Sequence, residues 1–373
     1  MLPLDGGTPP RRVSGVSAVA CTDTRSRRHL RARGIGYCDG VSLGRPTIID
    51  VARAAGTSKS VVSRVITGKG SVSADARARV VAAMAQLGYR SNPAARTLQS
   101  GRSGSVGVLL RNVTSAFYCT LFTSLQRLAS VDGSRVVGAT GNMIQGSERA
   151  ALDNLLHLGV DALIIGSGTM PIRTITRVSE RIPTVVLTRP VPDTAASAVY
   201  DDPGQHALYC VGALWEAGHR DIALFDAKAF SAQPRIQAIR REANERGMRV
   251  HTVSAGYDLQ PGMEAARVWL AGARQETGLL FLGFEAAVGA MYELGQAGVS
   301  VPDDVSVVAA DAFHLPNPFS PDVAGSSRDQ KLFAEQVWLE VTARLDDRRD
   351  EPHEHLSPVS WHAGATLGSI PTP

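Results

Sequence analysis

The chain has 373 residues, 44% hydrophobic and 20% charged, an ordinary globular composition with length for two or three domains. No apolar run approaches the roughly 18 residues that would span a bilayer, and no basic-then-apolar leader precedes a small-residue cleavage site, so a cytoplasmic protein with no membrane part is expected. The net charge of +4 is unevenly placed: residues 1–104 hold 17 Lys/Arg against 5 Asp/Glu and residues 105–373 hold 22 against 30, which predicts one module that meets a polyanion and one that does not.

Residues 1–44 are rich in Gly, Pro, Ser, Thr and Arg without an apolar period and read as a disordered basic extension. Cys21, Cys38, Cys119 and Cys210 show no metal-ligand or redox spacing and read as reduced thiols, with no metal or other cofactor. From Thr47 the pattern changes. Thr47-Ile48-Ile49-Asp50 is a capping box at a helix start, and Gly56 ends that helix after two turns. Ser58 caps a second short helix, Lys59 to Ile66, with Val62, Val65 and Ile66 on one side. Ser73 caps a longer helix with Ala76, Val80, Met84 and Leu87 along its expected core face, and Gly88 stands where a left-handed terminus is expected. Two short helices joined by a tight turn, then a third, predict a helix-turn-helix domain over residues 45–91.

The second helix of such a domain lies in the major groove with its N-terminal end at the base edges. Lys59 and Ser60 occupy that end, with Ser63 and Arg64 one turn further on: Arg64 can fork onto a guanine edge, Lys59 can reach guanine or phosphate, and the serines are short donors. Asn92-Pro93 then starts a narrow helix with Ala94, Ala95 and Leu98 on one face. So short a helix is expected to be unstable alone.

From Ser105, apolar runs alternate with amphipathic stretches. Strands are expected at Val106–Leu110, Arg135–Ala139, Ala162–Ile165, Thr184–Leu187, Asp221–Phe225, Arg249–Val253, Gly278–Leu282 and Val305–Ala309, with helices between them. Alternation of this kind implies parallel sheets flanked by helices, here divided into two α/β lobes. His353 and His355 fall in a charged, Pro-containing stretch and read as a solvated loop. No Gly-x-Gly-x-x-Gly after a strand, phosphate-binding Gly-rich loop, Gly-x-Ser-x-Gly elbow or His-Glu-x-x-His is present, so an enzyme is not expected. A transport-type solute-binding protein would fit the two lobes but leaves the helix-turn-helix unexplained.

Residues 47–98 resemble the LacI/GalR family of bacterial repressors. The resemblance rests on Thr47-Ile48-Ile49-Asp50-Val51-Ala52, Ala55-Gly56, Ser58, Val62-Ser63-Arg64-Val65, Gly68, Val72-Ser73, Leu87-Gly88-Tyr89 and Asn92-Pro93-Ala94-Ala95-Arg96-x-Leu98. It departs at Thr57, usually Val, and at Val61, usually Thr. The resemblance implies a sequence-specific transcriptional repressor in which Thr47, Ser58, Lys59, Ser60, Ser63 and Arg64 contact DNA. It also implies a hinge helix, within a linker at residues 92–103, whose Asn92, Ala95 and Leu98 meet the minor groove, Leu98 as an apolar wedge.

The resemblance continues more weakly to about residue 368. It implies a core like periplasmic sugar-binding proteins: one lobe of residues 104–200 plus about 328–354, the other of 201–327 plus about 355–368. A homodimer or tetramer would then bind a pseudo-palindromic double-stranded operator, controlled by a small-molecule effector, a sugar or sugar derivative, in the interlobe cleft. Phe117, Arg235, Tyr257 and Asp311 match the family's pocket positions. Departures are Gly283-Phe284 for an Asn-Asp pair, Thr188-Arg189 for Asp-Arg, and Asp202-Pro203 for Asp-Asn. With those hydrogen-bonding groups lost, an effector other than a simple hexose, or a degenerate pocket, is expected.

Overall fold

The computed structural model describes residues 46–67, 70–89, 102–141, 144–273, 275–312, 321–346 and 351–370. The expected extension at 1–44 and the hinge positions Asn92, Ala95 and Leu98 lie outside the described residues, as do Cys21 and Cys38. The chain divides into two compact units, Met1–Arg90 and Ser91–Pro373.

The first unit contains α1 (Ile48–Ala54), α2 (Lys59–Thr67) and α3 (Ala74–Leu87). Thr47 and Asp50 close the capping box reciprocally, the Thr47 amide donating to Asp50 Oδ2 at 2.8 Å and the Asp50 amide to Thr47 Oγ1 at 3.4 Å. Ser58 Oγ accepts from the Val61 amide at 3.3 Å, and Ser73 Oγ from the Ala76 amide at 3.3 Å. Val51, Ala52, Ala55, Val62, Val80 and Ala83 form the core, with Ile48, Val65, Ile66, Met84 and Tyr89 against it. Leu87 is 36% exposed and leaves the face expected for it. Gly88, at φ 61°, turns the chain back so that Tyr89 packs on the core at that end instead.

The described residues of the second unit form two six-stranded sheets. In chain order its elements are β1 (Ser105–Leu110), α4 (Ala116–Val131), β2 (Arg135–Thr140), α5 (Gln145–His157), β3 (Ala162–Gly166), α6 (Ile172–Ser179), β4 (Thr184–Leu187), β5 (Ser197–Asp201), α7 (Pro203–Glu216) and β6 (Asp221–Asp226). There follow α8 (Gln233–Glu245), β7 (Arg249–Ser254), α9 (Leu259–Leu270), β8 (Gly278–Phe281), α10 (Phe284–Gln296), β9 (Ser306–Ala309), β10 (Ala324–Arg328), α11 (Gln330–Leu345), β11 (Glu354–Ser357) and β12 (Val359–His362). The first sheet runs β11-β5-β4-β3-β1-β2 and the second β12-β10-β9-β8-β6-β7. Among the described residues all pairings are parallel except β10 with β12.

The eight expected strands are present within a residue or so of their bounds. β5, β10, β11 and β12 were not expected, because their sequences are short and rich in small or polar residues. The chain crosses between sheets after Asp201, after Arg328 and after Ser357, so residues 355–357 belong to the first lobe rather than the second. His355 correspondingly lies in β11, not a solvated loop: its Nε2 meets the buried Glu340 carboxylate at 2.8 Å, a partner fifteen residues away that the local composition hides. No helix among the described residues is long and apolar enough to cross a membrane.

Candidate DNA-reading helix and interlobe cleft

The first site is the exposed start of α2. Lys59, Ser60 and Arg64 are exposed and Ser63 is half-buried, while Val62 on the opposite face is fully buried. The pattern follows from helical spacing: the buried valine fixes which side of this two-turn helix faces outward. Ser58 Oγ lies 3.2 Å from Ser60 Oγ, so both hydroxyls sit at the helix start, and exposed Thr47 marks the start of α1. Gly70, at φ 82°, leaves room for Arg64: an added Cβ there would stand 3.3 Å from Arg64 Cδ. These are short donors and one cation at the helix start, with a second cation, Arg64, in the last turn on the same outward side, all able to hydrogen-bond base edges and phosphates.

The second site lies where the strands of both sheets end at their C-termini, the usual ligand position in parallel α/β sheets. Arg111 follows β1, Thr188 follows β4, Tyr257 lies beyond β7, Gly283 beyond β8 and Asp311 beyond β9, and Arg328 ends β10; all line one cavity of about 40 Å³. Phe117, Arg235, Tyr257 and Asp311, the four positions singled out from sequence, all stand on its wall. The cavity is narrow and partly open to solvent.

Beneath the cavity lies a buried ionic cluster. Arg328 Nε donates to Asp201 Oδ2 at 2.9 Å and its Nη2 to Asp311 Oδ2 at 3.0 Å. Arg235 Nη2 lies 3.5 Å from the same Asp201 oxygen, and its Nη1 donates to the Leu282 carbonyl at 3.2 Å. Two arginines and two carboxylates balance, which is what allows charges to stay buried. Burial works against the Asp201 charge, but Arg328, the His206 hydrogen bond and Arg235 outweigh it and hold the carboxyl well below its ordinary range. Phe117 covers the cluster, its ring 4.3 Å from the Arg328 guanidinium carbon.

His206 connects this cluster to the core. Its Nε2 lies 3.2 Å from Asp201 Oδ2 and its Nδ1 2.7 Å from Ser326 Oγ, which in turn lies 3.2 Å from Cys210 Sγ. Burial, then Arg235, lowers the His206 pKa, so the ring is neutral, with Nε2–H donating to Asp201 and the Ser326 hydroxyl donating to Nδ1. The order Ser-His-Asp is that of a hydrolytic triad, yet His206 and Ser326 are fully buried and neither lines the cavity.

The cavity rim ties the lobes together. Asn112 Nδ2 donates to Asp258 Oδ1 at 2.7 Å, and Arg111 Nη2 donates to the same oxygen at 3.4 Å. The Ala116 amide donates to Glu285 Oε1 at 3.0 Å. Arg111 also lies 4.7 Å from the Tyr257 ring centre and 5.5 Å from that of Tyr118. Burial pushes the Tyr118 phenol up to about 12, so it stays protonated.

The departures expected to empty the pocket have specific replacements. At Gly283 an added Cβ would stand 2.9 Å from Tyr257 Cδ1, so this ring and a side chain at 283 exclude each other. Arg189 is buried and donates to the Met170 carbonyl rather than entering the cavity. Asp202 is a helix cap, accepting from the Gly204 amide at 2.8 Å; the carboxylate that joins the cluster is one residue earlier, at Asp201. Sequence reasoning did not pick out Arg111, Tyr118, Asp201, His206 or Arg328. For Arg111, Asp201 and Arg328 the signal was available in principle: each stands at, or one residue past, the C-terminal end of a strand.

Known proteins give the same two-part division. Residues 47–92 match the family model described as bacterial regulatory proteins, lacI family, and residues 211–367 match that of the periplasmic binding protein-like domain. The HTH-type transcriptional regulator GalS of Salmonella typhimurium is 31% identical over 274 residues, covering 71% of this chain and 80% of its own length. Catabolite control protein A of Priestia megaterium is 27% identical over 284 residues, covering 74% of this chain and 86% of its own. Among solved structures, the lac repressor dimer bound to operator and the anti-inducer ONPF superposes with a TM-score of 0.75 at 23% identity, covering 87% of this chain and all of the other.

Proposed function

The chain belongs to the lacI family of bacterial regulatory proteins, DNA-binding transcription regulators with an effector-binding domain, and from that premise we propose that it is a cytoplasmic repressor that binds a pseudo-palindromic operator as a homodimer and is released or engaged by a small molecule in the interlobe cleft. The observation that carries the DNA half is the outward-facing side of the capped helix α2, with Lys59 and Ser60 at its start and Arg64 in its last turn exposed over a buried Val62. Thr47, Ser58 and Ser63 join them as backbone or base contacts, and Asn92, Ala95 and Leu98 supply the hinge in the minor groove. In the cleft, Phe117, Arg235, Tyr257 and Asp311 contact the effector. We read it as a regulator rather than an enzyme, in keeping with relatives named as transcriptional regulators; the Ser326-His206-Asp201 chain is buried and away from the cavity wall.

The test is selection of bound genomic fragments followed by mobility shifts on the recovered operator. Arg64→Ala should weaken operator binding by about 5- to 150-fold and relax preference at one base position. An equal loss on all sequences would make Arg64 a phosphate contact, and no fragment enrichment at all would remove the DNA reading.

A further inference from the structure

We propose that the cleft recognises an anionic ligand, a small molecule bearing a carboxylate or phosphate, with Arg111 as the residue that selects the charge. The inference rests on the cleft being the effector site, and it names the ligand class for that site.

Three observations lead there. The first is electrostatic. Four helices, α4, α8, α9 and α10, begin at the cavity: Ser115 and Gly283 are the N-caps of α4 and α10, and Ser231 and Tyr257 immediately precede the N-caps of α8 and α9. None of the four has a side-chain hydrogen bond at its cap. Each helix start carries roughly half a positive charge, so together they contribute about two. Two carboxylates at these starts offset part of this: Glu285, which accepts from the Ala116 amide, and Asp258, the N-cap of α9.

The second concerns hydrogen bonds left open. Among the described residues of the wall, two buried side-chain atoms have no partner, Arg111 Nε and Arg328 Nη1, and both are donors. Their side chains are 8% and 1% exposed. Buried donors without partners are costly, so a ligand that supplies acceptors satisfies the wall, whereas one that supplies only further donors does not.

The third separates the arginines. Arg235 and Arg328 are already neutralised by Asp201 and Asp311. The carboxylate beside Arg111 is Asp258, 3.4 Å away, 38% exposed and shared with Asn112. Arg111 is therefore the guanidinium with capacity for a second anion, and the Tyr257 and Tyr118 rings fix its orientation for a forked contact.

The experiment is calorimetric titration of the full chain with gluconate, galacturonate and glucose 6-phosphate, each set against neutral glucose or galactose. At least one acid should bind about 30-fold more tightly than its neutral counterpart, the scale of one charge-assisted contact. The carboxylate and phosphate arms show which anion is read. Arg111→Gln should bring acid and neutral sugar within about threefold of each other, with Arg111→Lys restoring part of the preference. A neutral sugar bound as tightly as its acid, or no acid in the panel bound, overturns the anionic reading. Acid binding unchanged in Arg235→Met would instead place the ligand outside the cleft, which overturns the site rather than its preference. Thermal unfolding of each variant shows that a lost signal is not lost fold.

Discussion

Asp201 is a charged side chain with almost no water, kept so by Arg328, Arg235 and a neutral His206. The cost of this arrangement shows in pH. Burial lowers the pKa of His206 and of His219, whose ring lies between Thr277, Ser306 and the Gly368 carbonyl. In the unfolded chain both rings take up protons below about pH 6.5, while in the folded chain they stay neutral to lower pH. The unfolded state then binds more protons, so stability is complete above about 6.5 and falls as pH drops below it, by at most about 1.4 kcal/mol per pH unit for each ring. Asp201, whose carboxyl is depressed, contributes stability that is lost only below the ordinary carboxylate range, near pH 4 and under, so the two windows separate. His206→Gln can donate to Asp201 and accept from Ser326 without titrating. Urea unfolding at pH 7.5 and 5.5 should show a smaller difference in this variant than in the wild type; an equal difference would mean that His206 is not neutral in the fold.

Helix termini are where sequence and structure agree most closely, because a cap is a local device. Thr47, Ser58, Ser73 and Gly88 each do what their type and position predict. Gly88 offers a clean measurement, since nothing lies within 4 Å of an added Cβ and any cost of Gly88→Ala is backbone conformation alone. At φ 61° that cost is about 1–2 kcal/mol. Hydrogen exchange of α3 amides in the full chain should therefore quicken about 5- to 30-fold, and less in Gly88→Asn, which tolerates the left-handed region. Identical exchange in the Ala variant would rule out a left-handed turn here. Strands were readable wherever the sequence is continuously apolar, as in β1, β3 and β8. They were not readable where burial is satisfied by polar pairing: β10 reads Ala-Gly-Ser-Ser-Arg, and its Ser326 and Arg328 are stable inside because His206 and Asp201 are there to meet them. The same reason hid half the cleft. Arg235 and Asp311 can be found by family position, but the partners that give them meaning come from different crossings of the chain.

Two lobes joined by three crossings share one buried apolar cluster, which runs from Leu110 and Phe117 in the first to Phe225 and Phe284 in the second, and the polar rim contacts add to it. Asp258 is the acceptor for both Asn112 and Arg111 and so ties the two lobes in the arrangement seen here. A ligand that enters a cavity of about 40 Å³ acts on the same balance, and can regulate only through a difference in affinity for the two arrangements. Linkage then makes a prediction that needs no ligand. Asp258→Ala removes two rim hydrogen bonds and should favour opening by about 1–3 kcal/mol, with no residue of α2 altered. If lobe angle governs the DNA-binding unit, its operator affinity should shift by up to about a hundredfold, in the sense opposite to a ligand that stabilises closure. Fluorescence anisotropy on the selected operator measures this directly, with small-angle scattering reporting the opening. A scattering change with unaltered operator affinity would uncouple the lobes from the reading helix and leave the cleft without a regulatory role.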